Sequence, residues 1–274
     1  KKQIEDEDIK VRNHDHYNSK YLGSAHQHCN LSYRRSKTFP CFFHNFSGYD
    51  SHLIIQEISN LNDTKHYIKP VAKNLERFIS FKYKNIEFKD SLRFIPYSLD
   101  KICADLKNKP GFNKNKFPAT YKHFKERYSH LPEEAFEMLT RKLPFPYDYL
   151  TFERLTDEVV PEKQCFDNIL KGESITEDDY SFIKNLWKVF EIKNVRELLM
   201  LYNEVDTLLL CDAFTEYRKF CYDLYQLEAA RFVTSPSLAW SAALKMSKTR
   251  LEIPQDINMH LSLIHISEPT RLHV

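Results

Sequence analysis

Glycine is nearly missing from this chain: four stand among 274 residues, Gly23, Gly48, Gly111 and Gly172. Loops that cradle phosphates, of the P-loop or dinucleotide kind, need two or three glycines at short fixed spacing, and these four supply neither pattern. No Cys-x-x-Cys pair occurs either, although cysteines stand at 29, 41, 103, 165, 211 and 221. Their scatter, mostly within apolar runs, argues against a disulfide framework and fits an intracellular, reducing compartment. No signal peptide, lipidation motif or bilayer-length apolar run is visible, so no membrane partner is expected. An excess of one charge is lacking too: 40 basic residues face 38 acidic ones, and a net charge of +2 neither demands nor excludes a nucleic-acid partner.

What is present is enough length to bury a large core, as one sizeable domain with an appendage or as two smaller ones. One stretch organises the rest: Cys41 to Ile55, reading Cys-Phe-Phe-His-Asn-Phe-Ser-Gly-Tyr-Asp-Ser-His-Leu-Ile-Ile. Its start has the character of a buried strand end and its finish that of an apolar helix turn. His44, Asn45, Gly48, Tyr49, Asp50 and His52 therefore fall at a strand-to-helix junction. There backbone N–H groups can face a ligand and a carboxylate can hold a metal. Asn and Asp are also ordinary turn formers, which leaves a plain turn as the alternative. A second stretch lies far along the chain, where Tyr202 and Asp206 stand four residues apart in a leucine-rich helical run. That spacing puts phenol and carboxylate on one helix face, as suits a carboxylate that binds a metal beside a hydroxyl that orients water. A solvated helix face is the alternative.

Between them, Tyr67 to Val71, Phe78 to Tyr83 and Ile86 to Phe88 alternate like strands of a meander, with lysines solvating the outer face. Basic residues interleaved with aromatics can also track a phosphate backbone while bases stack. Ser98 caps an expected helix to Leu106, and Tyr121 to Arg141 is expected to be helical in two pieces broken at Pro132. Another helix is expected to start at Phe152 to Leu155, and one after Thr176. The longest, Val195 to Leu227, has an apolar face of Leu208, Leu209, Leu210, Phe214, Phe220 and Leu224, which leaves Glu204 and Asp212 as surface charges. Thr234 caps a last helix through Met246.

In this order the elements resemble protein-primed family B DNA polymerases, of the kind carried by some bacteriophages, linear plasmids, large DNA viruses and self-synthesising transposons. Asn45, Tyr49 and Asp50 match the second exonuclease motif, Asn-x(2,3)-(Phe/Tyr)-Asp, and Tyr202 and Asp206 match the third, Tyr-x3-Asp. Asp90-Ser91-Leu92 and Ser235-Pro236-Ser237-Leu238-Ala239-Trp240 are similar to further family stretches, so the resemblance covers roughly residues 39 to 260.

The resemblance implies an α/β, ribonuclease-H-like 3′-5′ exonuclease domain with a mixed sheet and flanking helices, plus a small N-terminal His/Cys-containing segment. It implies Asp50, Tyr202 and Asp206 as catalytic residues, with Asp50 and Asp206 among the ligands of a two-magnesium site. His44, Asn45, Tyr49, Ser91 and Leu92 would contact the 3′ end of single-stranded DNA, with strand packing the alternative for Ser91 and Leu92. A terminal protein would prime the full-length enzyme. No convincing Asp-x-Glu first motif is found, which leaves the two-metal site incomplete. No Asp-Thr-Asp palm motif and no glycine after Gly172 follow either. A fragment of a replicative DNA polymerase is the expectation, inefficient by itself in polymerisation and proofreading but able to bind single-stranded DNA.

Five His or Cys residues fall within sixteen positions, His14, His16, His26, His28 and Cys29. With Asn30 they are similar to the endonuclease VII group of His-metal finger nucleases. That resemblance would make His14 a general base, Asn30 a metal ligand, and His26 with Cys29 half of a zinc site. Asn13 stands where that family has Asp, and without a first cysteine pair zinc has too few ligands. A degenerate remnant is expected, with a branched-DNA endonuclease or a catalytically dead nucleic-acid-binding module as competing classes. The expected divisions are 1–38 for this segment, 39–232 for the exonuclease domain, 233–261 for the start of a polymerase palm and 262–274 for a tail. Ser267 to Arg271 resembles translated sequencing adapter, so the tail is expected to be foreign. Because Lys1 is not Met, the natural start is expected upstream.

Overall fold

A computed structural model of the chain describes residues 9–14, 20–32, 38–61, 63, 65–74, 77–167, 172, 174–249 and 251. His16, the expected tail and most of the chain after 249 lie outside the described residues. The chain divides into two compact units, Lys1–Phe42 with Ser51–Lys89, and Phe43–Asp50 with Asp90–Val274.

The first unit carries the strands. β1 (Lys10–His14) and β2 (Tyr21–His26) pair antiparallel, and α1 (Gln27–Ser32) follows directly, its entry tied by the Gln27 amide donating to the Ile9 carbonyl at 2.8 Å. β3 (Phe39–Phe43) leads toward α2 (Asp50–Asn60). β4 (Lys69–Ala72), β5 (Phe78–Tyr83) and β6 (Ile86–Asp90) then form the expected antiparallel meander in a four-stranded sheet of order β3-β6-β5-β4. The two-residue turn Lys84-Asn85 joins β5 to β6, with Lys84 at a φ of 53°, the positive value such tight turns require. The turn is anchored by Asp63, whose carboxylate accepts from the Lys84 ammonium at 3.0 Å and the Tyr83 hydroxyl at 3.0 Å. Lys84, His66 and Tyr83 together hold the Asp63 carboxyl well below the usual range. On the sheet, Phe81 opposes Phe88 with ring centroids 4.7 Å apart, the cross-strand aromatic pairing that fixes register. One expectation fails here: Lys89 does not solvate an outer face but is buried, its ammonium 3.1 Å from the Glu87 carboxylate.

The second unit is largely helical. α3 (Leu99–Asn108), α4 (Asn113–Lys116), α5 (Pro118–Arg127), α6 (Glu177–Val189), α7 (Val195–Tyr225) and α8 (Ser235–Ser247) make its helices. Local chemistry sets the starts: Ser98 accepts from the Lys101 amide, Thr176 from Asp179 and Asn194 from Glu197, each satisfying a first-turn N–H that has no partner within the helix. The expected piece after Pro132 and the helix at Phe152 to Leu155 are instead short 3₁₀ segments, Glu133–Leu139 and Glu153–Thr156.

α7 is the central packing element, with α3 and α5 laid against it and Leu198, Val205 and Leu209 closed inside. Its apolar face is narrower than its composition indicates. Phe220 and Leu224 are exposed, whereas Asp212, expected as surface charge, is buried. Its carboxylate accepts the Ala119 amide at 2.8 Å, the Thr120 amide at 3.0 Å and the Thr120 hydroxyl at 2.7 Å, and so caps α5 from a distant part of the chain. Burial pushes the Asp212 carboxyl up, and these donors pull it back. Glu204 is also no free surface charge, since its carboxylate meets His123 and Arg127.

Candidate functional site

The Cys41–Ile55 stretch does form a strand-to-helix junction. β3 ends at Phe43, a 3₁₀ turn covers Phe46–Gly48, and α2 opens at Asp50. Asn45 sits in the left-handed region at φ 66°, ψ 35°, a conformation asparagine tolerates because its short polar side chain bonds locally. The side chain is exposed there, as is that of Tyr49. Asp50 is half-buried in the first turn of α2, where the helix dipole favours a negative charge.

Asp90, at the end of β6, holds this turn from beneath. Its carboxylate has no exposed surface and accepts from the Asn45 amide at 3.0 Å, the Leu92 amide at 3.0 Å, the Ser47 amide at 3.3 Å and the Ser47 hydroxyl at 2.9 Å. Arg93 in turn donates to the Ser47 hydroxyl oxygen. Ser91, expected at the DNA, is buried, and its hydroxyl donates to the Phe43 carbonyl at 2.7 Å and lies 3.0 Å from His44 Nδ1. His44 Nε2 lies 2.9 Å from the Tyr97 carbonyl oxygen, so the ring is fixed at both nitrogens. Leu92 is half-buried.

On α7, Tyr202 and Asp206 share one face, turned inward with Leu201 and Val205. Asp206 Oδ1 is buried with no hydrogen-bond partner. Burial raises the Asp206 carboxyl, while its hydrogen bond with Tyr202 and the charges of Lys142 and His44 draw it down. His44 brings the first stretch within electrostatic reach of the second, inside one compact unit. Tyr202 is held by the segment from Leu143 to Tyr147. Phe145 stacks on its ring at 4.8 Å, Tyr147 meets it edge-on at 5.9 Å, and the two phenol oxygens are 2.5 Å apart. Burial first, then the Tyr147 bond and the Asp206 charge, push the Tyr202 hydroxyl far above the ordinary tyrosine range. A cavity of about 360 Å³ adjoins this segment, lined among others by Asp100, Arg141, Lys142, Phe145, Tyr147 and Asp167.

Tyr147 and Lys142 are site neighbours that sequence reasoning missed. Their signal was the run Lys-Leu-Pro-Phe-Pro-Tyr, where two prolines stiffen a segment whose aromatics are then placed rather than mobile.

A buried carboxylate oxygen without a donor suits a cation. Among the described residues, however, no group of three or more His, Cys, Asp or Glu side chains is gathered to hold a metal ion. In the first unit, His14 ends β1, Asn30 lies on α1, and His26 Nδ1 is 3.4 Å from Cys29 Sγ, two donors where a closed zinc site needs four. Among the described residues no helix is long and apolar enough to cross a membrane.

Fold and site together define an α/β protein with a helix-borne Tyr/Asp pair beside a strand-to-helix turn. The chain is similar to a probable DNA polymerase from Neurospora intermedia, 24% identical over 226 residues that make up 76% of this chain and 19% of the relative. The similarity relates the chain to a DNA polymerase, and the chain spans about a fifth of that curated relative's length. No protein family profile matches the chain, and no solved structure matches it.

Proposed function

We propose that the chain carries the 3′-5′ exonuclease part of a DNA polymerase of the protein-primed family B type, with a ribonuclease-H-like core, acting on the 3′ end of single-stranded DNA. The observation that carries the reading is Asp206: an inward-facing carboxylate with one oxygen left without a donor, beside the Tyr202 hydroxyl on the same helix face. A buried carboxylate oxygen without a protein donor needs a water, a proton or a cation to satisfy it, and beside the Tyr202 phenol a cation suits it. Asp206 and Asp50 are the proposed magnesium ligands, and the bound metal would supply an activated water and neutralise charge at the scissile phosphate. Tyr202, oriented by Phe145 and Tyr147, is the group that directs the water. Asn45 and Tyr49, exposed on the turn, are the proposed contacts to the terminal nucleotide. A terminal protein is the proposed partner of the full-length enzyme.

The test is binding of a short single-stranded oligonucleotide, followed by fluorescence anisotropy with and without magnesium. Magnesium should tighten binding, and both Asp206→Ala and Asp50→Ala should remove that effect. Binding indifferent to magnesium and to both substitutions would falsify the reading.

A second reading concerns the first unit. Its strand, strand, helix order, with His14 ending β1 and Asn30 on α1, favours a His-metal finger endonuclease of branched DNA. Internal cuts in circular DNA that disappear in His14→Ala are its expected signature.

A further inference from the structure

We infer that Asp90 is a positioning residue for the proposed 3′-end site: it sets the conformation of the 43–50 turn and thereby where Asn45 and Asp50 stand. The inference rests on the exonuclease reading for its functional consequence, while its structural half stands independently of that reading.

A short polar turn with one residue in the left-handed region has several competing conformations, and local sequence does not choose among them. Here the choice is made by one carboxylate. Its Oδ1 takes the Asn45 and Leu92 amides, and its Oδ2 takes the Ser47 amide and hydroxyl. The four donors thus come from both sides of the junction, Asn45 and Ser47 from the turn and Leu92 from the segment after β6. Two of them flank the aromatic anchor Phe46, which has no exposed surface. With Asn45 N and Ser47 N both fixed, the backbone between them is fixed, and the Asn45 side chain is carried outward. Arg93 closes the set by donating to the Ser47 hydroxyl oxygen, leaving that hydroxyl's own proton for Asp90.

Because the hydrogen bonds are divided between the two oxygens, Asp90→Asn is a graded perturbation. An amide oriented with its oxygen in the Oδ1 place keeps the Asn45 and Leu92 bonds. Its NH₂ then confronts the Ser47 amide, donor against donor, while the Ser47 hydroxyl can reverse and accept. Ser47→Ala removes the hydroxyl, both as donor to Asp90 and as acceptor for Arg93, and leaves the backbone bonds in place.

The experiment uses the full chain and two readouts. In amide hydrogen exchange, Asp90→Asn should speed exchange across residues 43–50 about tenfold, the ratio expected when roughly one buried hydrogen bond is lost, with α6 and α7 unchanged. Ser47→Ala should give a smaller acceleration. The second readout compares affinity for linear and circular single-stranded DNA of equal length, since only the linear form offers a 3′ end. Asp90→Asn should reduce the preference for linear DNA and leave circular binding unchanged, a pattern that general loss of structure does not produce. Unaltered exchange in 43–50 overturns the inference. So does an unaltered linear-to-circular ratio when exchange has increased. If the wild-type chain shows no preference for linear DNA, the exonuclease reading fails, and the exchange measurement still decides whether Asp90 sets the turn.

Discussion

Asp212 on α7 caps Thr120 on α5: its Oδ2 accepts both the Thr120 amide at 3.0 Å and the Thr120 hydroxyl at 2.7 Å. The two residues lie 92 positions apart, so the cap exists only after the helices have met. Removing it leaves the buried Thr120 amide and the half-buried Ala119 amide without an acceptor. Asp212→Ala should lower stability by about 3 kcal/mol, in the range of a hydrogen-bonded charged group lost from a buried site. Asp212→Asn, which keeps one acceptor oxygen, should cost less. Chemical denaturation of both variants measures the difference. Equal stability of Asp212→Ala and wild type would refute the long-range cap.

Asp206 should behave in the opposite sense. Its carboxyl is raised by burial above the unfolded value, so the folded chain binds protons more tightly than the unfolded one just above the ordinary aspartate range. Stability therefore falls as pH rises through that window, and the ionised form is a standing cost at neutral pH. Asp206→Asn removes the titration and should raise the melting temperature at neutral pH by a few degrees, on the order of 1 kcal/mol. Melting curves across the acid range would show the wild type losing this increment and the variant flat. A variant that melts lower at neutral pH would contradict the assignment.

Tyr147 and Tyr202 should be energetically coupled. Each single change to Phe removes one hydroxyl of the pair, at about 1 kcal/mol, and the double change should cost about 1 kcal/mol less than the sum. The raised Tyr202 hydroxyl adds a signature in base. Because its folded value lies above the unfolded one, stability is level below the ordinary tyrosine range and declines as pH climbs beyond it. Absorbance titration should show Tyr202 ionising late, with alkaline unfolding, and Tyr202→Phe should shrink that late step by one tyrosine.

Gly48 bears on function more than on stability. A methyl group there would approach Asn45 Oδ1 to 3.2 Å, and the flexible end of that side chain can give way. Gly48→Ala should thus cost about 0.5 kcal/mol or less in stability. It should weaken binding to the 3′ end of single-stranded DNA severalfold, because Asn45 is displaced. A Gly48→Ala chain that binds linear DNA as wild type does would separate Asn45 from end recognition.

Much of the fold was legible locally. Ser98 and Thr176 read as helix starts because a short side-chain oxygen beside an unsatisfied amide is a purely local arrangement. The meander was legible because Phe81, Tyr83 and Phe88 alternate with polar residues at the period of a strand. Tyr202 and Asp206 read as one helix face from their spacing alone. The 3₁₀ segments after Pro132 and near Glu153 were not legible as such, since an apolar pattern this short fits a loose turn and an α-helix equally. Tyr147 was hidden for another reason: a proline-rich aromatic run packs loops as readily as it orients a phenol.

By itself, the sequence determined the meander, the long helices, several helix starts, and the shared face of Tyr202 and Asp206, because each depends on neighbours within a few residues. Only the tertiary structure decided what each carboxylate does. Asp90, Asp206 and Asp212 look alike along the chain, yet one is filled by four donors, one has an oxygen with none, and one caps a helix begun 94 residues earlier at Pro118. The physical reason is that a buried carboxylate is defined by the donors that reach it, and those donors arrive from parts of the chain that local pattern cannot see.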